Sequence, residues 1–265
     1  MSEEGGSETS PEEIRLITRG DDMGFAHCAN EAFVKVCTEG IIRTAEVVVP
    51  GPWFLEAAEL LAEHTEIDVG VHLTLNCDWF NYLWRPLTHA PSLVDEDGYF
   101  TQSIKAFKAG NPKVAEVERE LRAQIEMARR HIPRVSHLSS HMGTSSCTPE
   151  LKELTRKLAA EYGLPAGVKG AKGVHGMWSC PAEQKRAFVL NVLENIEPGL
   201  NSFTCHPCLD TAESRAMQGD QRDASARMAV HRQVVVDVVT SAEAKEIIAR
   251  RGIRLISQGE AVGSE

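Results

Sequence analysis

The stretch IRLITRGDDMGFAHCAN, residues 14–30, carries the first decision about the fold. Ile14–Arg19 is a short β-branched and apolar run, which predicts a strand. Asp21 and Asp22 follow at once. Adjacent like charges repel, and aspartate is depleted from strands. Such a pair at a strand's end is more often a turn or helix start than a site. Its meaning depends on what the other strand ends carry.

Working outward, short strand-like runs alternate with longer helical patterns. Further strands are expected at Arg43–Val49, Ile67–Leu73, Val135–Ser140, Ala166–Val168, Ser202–Cys205 and Ile253–Ser257. Helices are expected at Glu31–Thr38, Phe54–Glu63, Val114–Arg130, Glu150–Tyr162, Ala182–Asn195 and Ala242–Arg251. Val117, Leu121, Ile125 and Ala128 form a helical stripe, and Gly40 and Gly163 follow helices as stops. Such alternation implies parallel strands with helices outside. About seven units close better as a distorted (β/α) barrel, an α/β single domain, than as an open sheet. Active-site residues then belong at the C-terminal ends of the strands.

Four strands deliver carboxylate or imidazole at that end. Asp21 and Asp22 follow the first, His72 lies on the third, His137 and His141 on the fourth, and His206 after the sixth. A common rim explains the aspartate pair, because a divalent cation there would offset the repulsion. Side chains alternate along a strand, so His137, Ser139 and His141 point one way, whereas Asp21 and Asp22 cannot both face one spot in regular β geometry. One is then expected to hold metal while its neighbour leans toward water. His27, His64, His89, His131, His175 and His231 are assigned no such role.

The 265 residues are 42% hydrophobic, with a formal net charge of −10. That suffices for one barrel-sized core and disfavours nucleic acid or an anionic membrane as partner. The acidic opening MSEEGGSETSPEE lacks the basic and apolar regions of a signal peptide. Residues 1–13 read as a disordered lead-in to a domain spanning 14–265. Seven cysteines lack the density of a disulfide scaffold, so a reducing, cytoplasmic setting is expected. Asn76–Asn111 interrupts the alternation with Trp79, Phe80, Tyr82, Trp84, Tyr99 and Phe100. It reads either as a binding loop or as aromatics packed on the rim. Arg85 on it is a candidate substrate contact, with a surface salt bridge as its plainer role.

The ordered motifs ITRGDDMG, NEAF, GII with TAEVVVPGPWF, DVGVHLTLN, PRVSHLSSHMG, TCHP and GIRLISQGE resemble the YdjC-like carbohydrate deacetylase family, which includes the chitooligosaccharide deacetylases. The resemblance spans about Arg15 to Gly259. It implies a polysaccharide-deacetylase-like barrel that removes N-acetyl groups from an amino sugar or short N-acetylated oligosaccharide. It also implies a divalent metal held by Asp22, His72 and His141, with Asp21 as base and His206 on the acid side. His137 becomes a near-site residue or alternative ligand. Zinc or magnesium is the expected metal, with manganese, nickel or cobalt as further candidates. A small carbohydrate is the expected partner, and a homodimer the expected assembly.

The chain departs from that pattern at two positions. Typical members carry HxDxHxH on the fourth strand, where this chain has His137-Leu-Ser139-Ser-His141-Met-Gly143. A carboxylate normally orients a ligand histidine, so Ser139 is expected to do so more weakly, and Gly143 cannot contribute an imidazole to sugar binding. DDMG also stands in place of DDFG. Three other readings stay open. Cys205-His206-Pro207-Cys208 has thioredoxin-like spacing. The barrel could bind sugars without catalysis. It could also hydrolyse another amide or an ester.

Overall fold

A computed structural model describes residues 13–218 and 225–263, with side chains for 225–227 excepted. The expected lead-in, apart from Glu13, lies outside the described residues. The alternation is realised as β1 (Ile14–Met23), α1 (His27–Thr38), β2 (Thr44–Val47), α2 (Phe54–Glu63) and β3 (Asp68–Leu73). After the long insertion, which contains α3 (Ile104–Ala109), come α4 (Val114–His131), β4 (His137–Ser140), α5 (Pro149–Tyr162) and β5 (Lys172–Gly173). The chain ends with α6 (Ala182–Asn195), β6 (Gly199–Cys205), α7 (Ala212–Ala216), α8 (Ser225–Thr240), α9 (Ala242–Arg251), β7 (Arg254–Ile256) and α10 (Gln258–Gly263).

Every strand pairing in the seven-stranded sheet is parallel, in the order β4-β3-β2-β1-β6-β5. β6 occupies one edge of β1 over Ile14–Gly20. β7 and β2 divide the other edge, at Arg15–Ile17 and Arg19–Met23. The curled sheet thus sets β1 at its centre and turns the C-terminal strand ends toward one rim.

The expected strand at Ala166–Val168 is reduced to a single bridge between Ala166 and Leu138. Gly167 and Gly170 have φ of 84° and 71°, which breaks extended geometry. Pairing resumes at Lys172 and Gly173 against β6, so this segment spans the seam between the β4 and β6 sides.

The stripe expected on α4 is fully buried at Val117, Leu121, Ile125 and Ala128. Beside it, α4 carries buried polar residues that fasten the insertion. The Glu120 carboxylate accepts from the backbone N–H groups of Leu87 and Thr88, and Gln124 exchanges two hydrogen bonds with the backbone of Thr74. Each such bond contributes about 0.5–1.5 kcal/mol net, and more to a charged acceptor. Of the six aromatics named in the insertion, Trp79, Trp84 and Phe100 are buried, while Phe80 is exposed. Rim packing therefore accounts for these three.

Candidate active site

β1 does not stop at Arg19 but runs through both aspartates to Met23. Gly20 pairs with Ala45 and Met23 with Val47, so β1 holds one extra residue there. This is a β-bulge, and Asp22 takes φ of 85° within it. Left-handed geometry is uncommon outside glycine, although Asp and Asn tolerate it best. The bulge overturns the expectation that the two carboxylates must diverge. His72 Nε2 lies 3.8 Å from Asp21 Oδ2 and 3.6 Å from Asp22 Oδ1. The loop beyond is tied by Asn30, whose Oδ1 accepts from Gly24 N at 2.8 Å.

His141 follows β4 in a 3-10 segment. Its Nδ1 is 3.1 Å from Asp22 Oδ1, and its Nε2 is 3.2 Å from Asp78 Oδ2. Asp22, His72 and His141 are buried and each offers a ligand atom, these atoms lying within 4.8 Å of one another. Asp21 Oδ1 is buried 2.7 Å from Arg19 Nε, so that carboxylate is ion-paired through both of its oxygens. One carboxylate and two imidazoles, each offering a buried donor atom within reach of the others, fit a divalent cation.

Each aspartate also has its own guanidinium. Arg19 Nη2 donates to Asp21 Oδ2 at 3.0 Å, and Arg232 Nη2 donates to Asp22 Oδ2 at 3.1 Å. Burial alone would raise the Asp22 carboxyl, but the His141 hydrogen bond and the charges of His206, His141 and Arg232 hold it well below the usual range. Burial would lower His141, but Asp78 and Asp22 push it up to about 10. Burial lowers His72 despite the neighbouring aspartates.

His137 lies deeper in the barrel than the cluster. Its Nε2 is 2.6 Å from Glu46 Oε1, and its Nδ1 is 2.7 Å from Ser136 Oγ. His206, directly after β6, lines a cavity of about 440 Å³ with Asp78, Trp79, Trp178 and Arg232. The Trp178 ring is 5.1 Å from the His206 ring and is 65% exposed. Arg85 is outside that lining: its guanidinium stacks 4.4 Å from the Tyr99 ring centroid and donates to Asp97 O.

Glu46, Asp78, Arg19, Arg232 and Trp178 were not singled out from the sequence. A lone glutamate within the apolar run TAEVVV was a usable signal, because a charge in a buried strand needs a partner. Cys205 and Cys208 are both buried, and Cys208 Sγ faces Cys28 Sγ at 3.3 Å instead. Burial raises the Cys205 thiol, opposite to the activated thiolate that a redox motif requires. Among the described residues no helix is long and apolar enough to cross a membrane.

A carbohydrate deacetylase of Thermus thermophilus is 33% identical over 228 residues, covering 76% of this chain and 80% of that protein. A carbohydrate deacetylase of Enterococcus faecalis is 28% identical over 262 residues, covering 91% of this chain and 95% of its own. A solved structure from Enterococcus faecalis V583, for which cellobiose-phosphate cleavage has been suggested, superposes with a TM-score of 0.76 at 24% identity. That match covers 94% of this chain and 99% of the other, and it shows a shared fold. The family model of YdjC-like proteins matches residues 15–250. With that match across nearly all of the barrel, the chain belongs to the YdjC-like family.

Proposed function

We propose that this chain is a metal-dependent carbohydrate deacetylase, acting on an N-acetylated amino sugar or short oligosaccharide through its single barrel domain, residues 14–265. The observation that carries the reading is the convergence of Asp22, His72 and His141 within 4.8 Å, with Asp21 beside them. The names of the related proteins support the substrate class. Asp22, His72 and His141 would hold a divalent cation, which would supply Lewis acidity toward an acetyl carbonyl and lower the pKa of water toward about 7.

The chain's own groups do the rest. The buried Asp21 carboxylate, 3.8 Å from the His72 ring, accepts the proton of the attacking water. Arg19 holds the carboxylate in place from the same strand. His206 delivers a proton to the leaving amine. An imidazole suits that step because its ordinary proton affinity lies near neutrality. The exposed face of Trp178 suits the apolar face of a sugar ring. The cytoplasm and a homodimer are the setting proposed for this chemistry.

The test is acetate release from a panel of N-acetylated sugars, with zinc, magnesium, manganese, nickel or cobalt supplied in turn. Metal-dependent release supports the reading. Sugar binding without release under every metal contradicts it and favours a non-catalytic barrel.

A further inference from the structure

We infer that Glu46 is a positioning residue for the metal site, acting through the Ser139 hydroxyl to turn the Nε2 lone pair of His72 toward Asp21 and Asp22. This rests on the reading of Asp22, His72 and His141 as metal ligands. Glu46 is fully buried on β2, and its Oε2 accepts a hydrogen bond from Ser139 Oγ. A serine hydroxyl has one proton to give. With that proton committed to the carboxylate, Ser139 Oγ accepts at its other contact, His72 Nδ1 at 2.6 Å. Nδ1 therefore carries the imidazole proton, and Nε2 keeps the lone pair. Nε2 is the atom 3.6 Å from Asp22 Oδ1. A ligand histidine needs this arrangement, its remote nitrogen donating to a carboxylate or to a group that one holds.

The sheet register explains how a carboxylate on β2 reaches β4. Glu46 pairs with Gly70 on β3, and Gly70 pairs with His137 on β4. His72 pairs with Ser139 two residues further on. Gly70 has no side chain, so Glu46 crosses β3 above it and meets His137 Nε2 at 2.6 Å. A Cβ at Gly70 would collide with both Glu46 Oε2 and His137 Nε2. Glu46, Gly70 and Ser139 thus form one device. It supplies negative charge from β2, so the serine does not leave His72 without a carboxylate behind it.

The test uses zinc alone on the full chain. Affinity is measured by chelator competition, and histidine tautomers by long-range ¹H–¹⁵N NMR. The metal-free parent is expected to show His72 protonated at Nδ1. Ser139→Ala leaves the Glu46–His137 pair intact and is expected to weaken zinc about 10- to 100-fold. Glu46→Gln is expected to do the same, and adding Ser139→Asp to it should restore most of the affinity. An Nε2-protonated His72 in the parent overturns the inference without recourse to any variant. So does a folded Ser139→Ala that binds zinc as the parent does. A parent that binds none of zinc, magnesium, manganese, nickel and cobalt overturns the metal-site reading, and this inference with it.

Discussion

Arg232 Nη2 donates to Asp22 Oδ2 at 3.1 Å across 210 residues of chain. The guanidinium is buried, and its Nε and Nη1 have no hydrogen-bond partner among the described residues. It sits 5.3 and 5.5 Å from the Phe25 and Trp79 ring centroids. A late helix thus clamps a carboxylate from the first strand. Removing one partner of a buried ion pair typically costs about 3–5 kcal/mol, because the other charge is left uncompensated. Arg232→Met is expected to lower metal-free stability by roughly that amount in urea unfolding. Saturating zinc should recover part of the loss, since a cation then offsets Asp22. Unchanged stability without metal would contradict the clamp.

Glu46 gives a pH dependence with a defined sign. Burial would raise its carboxyl, but the charge and hydrogen bond of His137, with Arg19 and His72, hold it down to about 2. A depressed folded pKa adds stability that is present above the unfolded value near 4.5 and is lost as pH falls toward 2. The contribution is on the order of 3 kcal/mol. The stability gap between parent and Glu46→Gln should be widest near neutrality and shrink below about pH 4.5. Urea melts across that range measure it; a gap independent of pH would mean that Glu46 is not held ionised.

Much of this architecture was readable from patterning, because α4 buries one clear stripe and β1 to β3 are short apolar runs buried on both faces. α8 was not. Its run Val234–Val236, Val238 and Val239 is β-branched and shows no apolar stripe. The helix packs against α1, α6, α7 and α9. Helices surrounded by neighbours lose amphipathic patterning, and tertiary burial overrides propensity. Within the site, Asp21, Asp22, His72, His141 and His206 stood out because strand ends can be located in sequence. The bulge that turns both aspartates inward could not be located, since it depends on the register against Ala45 and Val47. Arg232 escaped for a similar reason, because its partner Asp22 is set by helix docking, and the partners of Glu46 are set by sheet order.

Trp178, outside the insertion, supplies an exposed aromatic face at the cavity. Trp178→Ala should raise KM with little change in kcat if its ring contributes to sugar binding alike in ground and transition states. Stacked or edge contacts of aromatic rings contribute about 0.5–1.5 kcal/mol, which corresponds to about 2- to 13-fold in KM. Steady-state kinetics on an active N-acetylated sugar checks this, and an unchanged KM would remove Trp178 from the binding surface.

The central claim is the division of labour between two neighbouring carboxylates, one holding the cation and one moving a proton. Asparagine at either position keeps the side chain's shape, and it tolerates the positive φ of Asp22. The most direct measurement is zinc content and acetate release on the same purified samples of parent, Asp22→Asn and Asp21→Asn. The account predicts that Asp22→Asn loses the metal, while Asp21→Asn keeps it and loses turnover about 100- to 10,000-fold. Full turnover in zinc-loaded Asp21→Asn, or full zinc content in Asp22→Asn, would contradict it.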